Sequence, residues 1–292
     1  MLTIDLAYVG RGLHEELAAY IADQEDYYAD EGVHVALRDG CTWDEERLRR
    51  GATIGLGRAL LSRLTDDTPW VALNVNTHRP LFWFIARPGL TSLADLAGRR
   101  LAVHAPHTAP GCFTRIVLRK AGLDPDRDIH TMVRTPGDYG MDLRRLLNGE
   151  IDAALVGSTM APEAVAAENG WQVLAWVGDH FQIPTVGLAV DPTYIHPDDP
   201  AVQAVLRAHR RALQVICDDP DTTVRHMRTF LGGHTEDEAR AHYETFIAPY
   251  FTTDGQADLA VGAAAITAVA AELGVPAAVT ADDFYRTANA TP

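Results

Sequence analysis

Ten short runs rich in apolar residues are separated for the most part by amphipathic stretches, and this alternation limits the possible folds more than any single motif does. The runs lie at 2–9, 33–37, 53–56, 70–74, 81–86, 100–104, 130–134, 151–156, 172–177 and 185–190. Each has strand length, and LFWFIA at 81–86 is apolar throughout, as in a strand buried on both faces. Helical patterns occupy 13–28, 43–50, 58–64, 141–148 and 162–169, several of them stopped by Gly51, Gly149 and Gly170. Strands joined through helices pair mostly in parallel, with both sheet faces covered. Beyond Pro200 the pattern is helical: 201–217, 222–230, 236–247, 259–273 and 281–287. No repeat or low-complexity linker divides the chain.

The stretch from Leu90 to Leu123 makes the architecture concrete. A short helix at 92–97 stops at Gly98, a buried strand follows, and the polar loop 105–111 opens a helix near Cys112. A loop that leaves a strand and feeds a helix presents unpaired N–H groups and the positive helix end, a natural anion site. The chain of 292 residues is long enough for two lobes, with 81–86 and 185–190 as the expected crossing strands.

Composition narrows the function classes. A net charge of -15 and no basic block argue against a nucleic-acid surface. Cys41, Cys112 and Cys217 are an odd number without paired spacing, which speaks against a disulfide framework or a cysteine zinc site. No run is long enough to cross a membrane, so no membrane span is expected. Met1 leads straight into a strand pattern without a signal peptide, which places the protein in the cytoplasm. If Met1 is not the native start, a periplasmic or lipid-anchored location is open.

The phrases TSLADLAGRRLAV, AGLDPDRDIH, LLNGEIDAALV and ENGWQVLAW occur in that order. With the helix-opening loop, they resemble the type II periplasmic-binding-protein fold of the sulfonate, nitrate and taurine receptors, a group that includes the thiamine-pyrimidine precursor synthases. The resemblance runs from Leu2 to about Phe230. It implies an α/β, two-lobed fold with an inter-lobe cleft and a helical C-terminal return. The expected lobes are 1–84 with 188–292, and 85–187. It also implies a ligand held by the loop at Gly10, Arg11 and Gly12, the turn from Gly55 to Arg58, His107 with Thr108, and the loop after Val156 (Gly157, Ser158, Thr159 and Met160). Two departures stand out: Thr53 and Ile54 occupy a motif that carries an acidic residue in the receptors, and the helix-opening loop reads PHTAPGC rather than glycine–serine rich.

Read for chemistry, His107 is the expected catalytic acid or base and Cys112 the candidate nucleophile, since a thiol at a helix N-terminus can have a lowered pKa. A buried apolar role for Cys112 is the competing reading. Arg11 follows the first strand, and its guanidinium matches a carboxylate, sulfonate or phosphate. Arg58, His78 and Tyr139 complete the expected substrate contacts, Tyr139 as a ring to stack on a planar ligand. His14 either faces the cleft or covers it. His104, His107 and His78 form a minority metal-site reading, without a carboxylate cluster to support it. Lys120 is the only lysine and falls on the solvent side of its helix, which excludes pyridoxal phosphate chemistry; no cofactor is expected.

The expectation is a cytoplasmic enzyme on this fold, a lyase, decarboxylase or hydrolase acting on a small aromatic or heterocyclic organic acid. The alternative is a solute receptor of an ABC importer for a sulfonate-, nitrate- or pyrimidine-like molecule. In either case the partner is a small organic anion or heteroaromatic ligand. An ABC permease joins it only in the receptor case.

Overall fold

The computed structural model describes residues 1–10, 12–55, 57–134 and 141–287. Ten strands form two five-stranded sheets. The strands are β1 (Leu2–Tyr8), β2 (Val33–Asp39), β3 (Ala52–Gly55), β4 (Val71–Val75), β5 (Phe82–Ala86), β6 (Arg100–Val103), β7 (His130–Val133), β8 (Ala153–Gly157), β9 (Gln172–Trp176) and β10 (Val186–Val190). The first sheet runs β2-β1-β3-β10-β4 and the second β7-β6-β8-β5-β9. Each sheet is one lobe of the expected two-lobed α/β fold.

The sheets are mixed rather than uniformly parallel. β1 pairs in parallel with β2 and β3, but β10 is antiparallel to β3 and β4. β6 pairs in parallel with β7 and β8, but β5 is antiparallel to β8 and β9. In each sheet the reversed strand is the one by which the chain arrives from the other lobe. Entering from the opposite end turns the strand around, which the helix-separated pattern could not reveal.

That arrangement also locates the crossings. β5 lies whole in the second sheet and β10 whole in the first, so the expected boundaries at 84/85 and 187/188 cut through strands. The chain passes between lobes at 76–81 and 177–185, and the two passages are tied together. Thr77 N–H donates to Thr185 Oγ1 at 3.1 Å, Thr185 N–H to Thr77 O at 2.7 Å, and Ile183 N–H to His78 O at 3.0 Å.

Helices cover both sheets. The first helix, Leu13–Gln24, turns Leu13, Leu17 and Ile21 inward. It meets Pro200–Asp218, whose Val202, Val205, Leu206, Leu213 and Ile216 are buried at helical spacing. Full burial of each such side chain contributes about 2 kcal/mol. Pro200–Asp218 starts sharply: Asp199 accepts from Ala201 N–H at 2.8 Å and Pro200 occupies the first turn. The C-terminal return holds both lobes. Phe246 packs on Trp83 and Trp176 of the second sheet, with ring centroids 5.1 and 5.0 Å away. Helix Leu259–Leu273 brings Glu272 to Arg115 at 2.6 Å and Arg119 at 2.9 Å, both on helix Ala109–Lys120. The expected helix 236–247 is α-helical over Glu236–His242 and changes to a π turn at Tyr243–Ile247. No helix among the described residues is long and apolar enough to cross a membrane.

Candidate functional site

The lobes meet where strand ends feed helix starts. After β1 the backbone is extended at Gly12 (φ -174°, ψ 158°), and helix Leu13–Gln24 begins with His14 and Glu15 in its first turn. After β8 comes Ser158, which is completely buried. Leu13 N–H donates to Ser158 O at 3.4 Å, and His14 Nδ1 lies 3.0 Å from Ser158 Oγ. A Cβ on Gly12 would come 2.6 Å from Ser158 Oγ, so only glycine permits this approach. A second contact between the lobes lies at Gly57, where a Cβ would stand 3.1 Å from Ala109 Cβ and 3.2 Å from the Phe113 ring. Through these contacts the N-termini of Leu13–Gln24 and Ala109–Lys120 both reach the boundary, each with the partial positive charge of a helix start.

Phe82, the first residue of β5, carries an imidazole on either side. His14 of the first lobe sits edge-on at 5.1 Å between centroids, and His104 of the second lobe at 6.1 Å. Burial lowers the His14 pKa to about 3. Burial, and then the charge of Arg134, lower that of His104 to about 3. Both rings are therefore neutral at physiological pH. His14 Nε2 and His104 Nδ1 are buried and have no hydrogen-bond partner among the described residues. Each ring thus keeps one buried nitrogen without a hydrogen bond, that of His14 on the side of Glu15.

His14 is held from behind as well. Asn76, completely buried just past β4, donates from Nδ2 to His14 O at 3.1 Å and to Glu15 O at 3.0 Å. Glu15 Oε1 lies 3.7 Å from His14 Nε2. A carboxylate on that side favours the proton on Nε2, so we assign the Ser158 hydroxyl as donor to Nδ1. Serine, histidine and carboxylate have the composition of a nucleophile relay. An imidazole held near 3 is, however, a weak base at neutral pH, which suits this trio to holding rather than activating.

The structure separates the other expected residues. Cys112 is fully buried, and burial followed by the nearby Glu272 charge raises its pKa to about 12. The expectation of a nucleophile fails there, because a desolvated thiol keeps its proton. His107 is exposed in the helix-opening loop. Thr108 caps the helix, accepting from Gly111 N–H at 3.3 Å and donating to Ala105 O at 2.7 Å. Arg58 is turned to Glu45 of its own lobe at 3.4 Å, and Glu45 also accepts from Trp70 Nε1 at 3.0 Å. His78 accepts Asp258 N–H on Nε2 at 2.8 Å, which makes it a tie between a crossing and the C-terminal return rather than a ligand contact. Gly12 and Ser158 are brought together, with Thr159 and Met160 half-buried in the loop that follows. Arg11 and Tyr139 lie outside the described residues. Lys120 donates to His180 O at 2.8 Å at the far end of its helix.

Phe82 and Asn76 were not singled out by sequence. Phe82 sits inside a uniformly apolar run whose residues look alike. The signal for Asn76 was present: a polar pair, Asn76–Thr77, directly after a buried strand. His14 had the right position, in the first turn of the first helix, but its orientation depends on a partner 144 residues away.

Comparison with known proteins agrees with this fold. The alkanesulfonate-binding protein SsuA from Xanthomonas axonopodis pv. citri, solved with MOPS, superposes with a TM-score of 0.76 at 16% identity, covering 98% of both chains. The periplasmic aliphatic sulphonate binding protein SsuA from Escherichia coli gives 0.73 at 16% identity, covering 94% of this chain and 92% of its own. The desulfurization enzyme DszB gives 0.66 at 16% identity, covering 94% of each. At such identities these likenesses establish the fold alone. No curated protein matches the sequence significantly. The NMT1/THI5 like family matches residues 15–223, most of the chain and both sides of the inter-lobe boundary. The chain belongs to the NMT1/THI5-like family, built on the two-lobed fold of the periplasmic binding proteins.

Proposed function

We propose that this protein is a solute receptor that closes its two lobes on a small organic anion, with an ABC permease as its partner. The observation that carries this reading is the two-sided boundary around Phe82. His14 from one lobe and His104 from the other both pack on Phe82, each with one ring nitrogen lacking a hydrogen bond, and two helix N-termini converge on the same seam. Helix starts favour an acid group, and neutral imidazoles supply directional hydrogen bonds without adding charge. The sulfonate-binding activity named for two structural relatives supports this ligand class. The complete burial of Cys112 favours its apolar reading over that of the candidate nucleophile.

The test is a panel of alkanesulfonates, aromatic carboxylates and heteroaromatic acids, screened by thermal shift and then titrated by calorimetry. A receptor binds one class and returns it unchanged by mass spectrometry. No binding across the panel overturns the anion reading. An acid-acting enzyme is the second reading, favoured by one observation, the exposed His107 at a helix mouth on the boundary. Turnover of a panel member that His107→Ala abolishes would put that reading first.

A further inference from the structure

We propose that His14 is a proton-sensitive latch, whose buried seat against Ser158 and Phe82 holds the lobes together when the imidazole is neutral and lets them part when it is protonated. The inference rests on the reading of the inter-lobe boundary as the ligand site, and concerns how that site is regulated.

Three geometric facts carry it. His14 is only 1% exposed, yet both groups that touch its ring from across the boundary, Ser158 and Phe82, belong to the second lobe. Separating the lobes therefore exposes the imidazole to water. Its helix packs on the first lobe and its carbonyl is held at the crossings by Asn76 and, at 3.5 Å, by Thr185 Oγ1, so the ring stays with the first lobe. Finally, Nδ1 serves as acceptor for Ser158 in the assigned tautomer; a proton there reverses that bond and sets a charge in the buried seam, which parting the lobes returns to water.

The groups around the ring decide the sign. Glu15, on the same helix at 3.7 Å, favours the charged form. Ser158 and Phe82 are uncharged. His104 lies beyond Phe82, itself neutral beside Arg134. Burial outweighs Glu15 and lowers the His14 pKa to about 3 when the lobes are together. In the parted form the ring returns toward an ordinary value of about 6.5. A group whose pKa is lowered in one state stabilises that state above the higher pKa and penalises it as pH falls. Closure is thus at full strength above about pH 6.5 and weakens below it. Between pH 7.5 and 5.0 the closed-to-open ratio falls about 30-fold for one such histidine.

Small-angle X-ray scattering of the whole protein without added ligand, from pH 7.5 to 5.0, tests the latch, with far-UV circular dichroism to show that the fold persists. The wild type should expand on acidification. His14→Gln, which keeps a polar side chain but does not titrate, should give the same curve at both ends of the range. Ser158→Ala should start more open and still respond to pH. A wild type that does not expand, or a His14→Gln variant that expands as much, overturns the proposal. If His14→Gln fails to fold, imidazole NMR of the wild type decides. A His14 resonance that titrates in step with the expansion supports the latch, and one that titrates near 6.5 without it overturns the latch. The outcomes separate from the ligand test: a protein that binds panel acids at pH 7.5 but never expands loses only the latch.

Discussion

Two helices bring their N-termini to the seam between the lobes, and they use it differently. Ala109–Lys120 begins with the chemically conspicuous loop, PHTAPGC, which carries a histidine and a thiol. Its Cys112 faces the core and its His107 faces solvent. Leu13–Gln24 begins with a plain glycine turn, yet its His14 is buried against Ser158 and Phe82 of the opposite lobe. Reactive residue types at a helix mouth therefore say little about the site. What matters is which side chain the opposite lobe closes on. At the first helix a glycine clears the way for that contact; at the second, the threonine cap and the packed thiol secure the helix itself.

Substitutions at the two mouths can break this contrast. The largest effect is expected at Gly12, where extended backbone tolerates any residue but a side chain would strike Ser158. Gly12→Val should weaken ligand binding by roughly 10- to 100-fold, with the thermal midpoint little changed, as calorimetry and a melt would show. An unaltered affinity would mean that the lobes never meet there. Ser158→Ala removes one buried hydrogen bond worth about 1 kcal/mol, so affinity should drop about fivefold to tenfold. Cys112→Ser should cost stability rather than binding, about 1–3 kcal/mol in denaturant unfolding, because the hydroxyl is placed in an apolar setting. In the native protein iodoacetamide should label exposed Cys41 and leave Cys112 untouched by peptide mapping. The smallest effect is expected for His107→Ala, within about 0.5 kcal/mol in stability and little in binding. A large binding loss there would give the second helix mouth the role assigned to the first.

Much of the fold could be read from the chain. The ten strands and the helical return follow from apolar spacing and glycine stops, which depend on neighbours a few residues away. The direction of β5 and β10 could not be read, because it depends on the lobe from which the chain arrives. The π turn at Tyr243–Ile247 also escaped, since the apolar period continues through it while Phe246 is drawn onto Trp83 and Trp176. The resemblance named the loops at Gly12 and Ser158, and the structure brings these two together. Cys112 misled because helix position alone cannot tell a solvated thiol from a packed one. Arg58 misled because Glu45, thirteen residues earlier, claims its charge.

Glu272 has a mechanical consequence. Its carboxylate, 7% exposed, grips Arg115 and Arg119 of the second lobe from a helix that Gly262 seats against Tyr285, itself bridged to Ala72 of the first sheet. The lobes are thus linked at a further point besides the two crossings. A fastening outside the crossings leaves less freedom for a simple clamshell swing. Any parting that preserves the Glu272 link is a twist guided by it. Cutting the link, with Glu272→Gln, would turn a guided twist into a looser hinge.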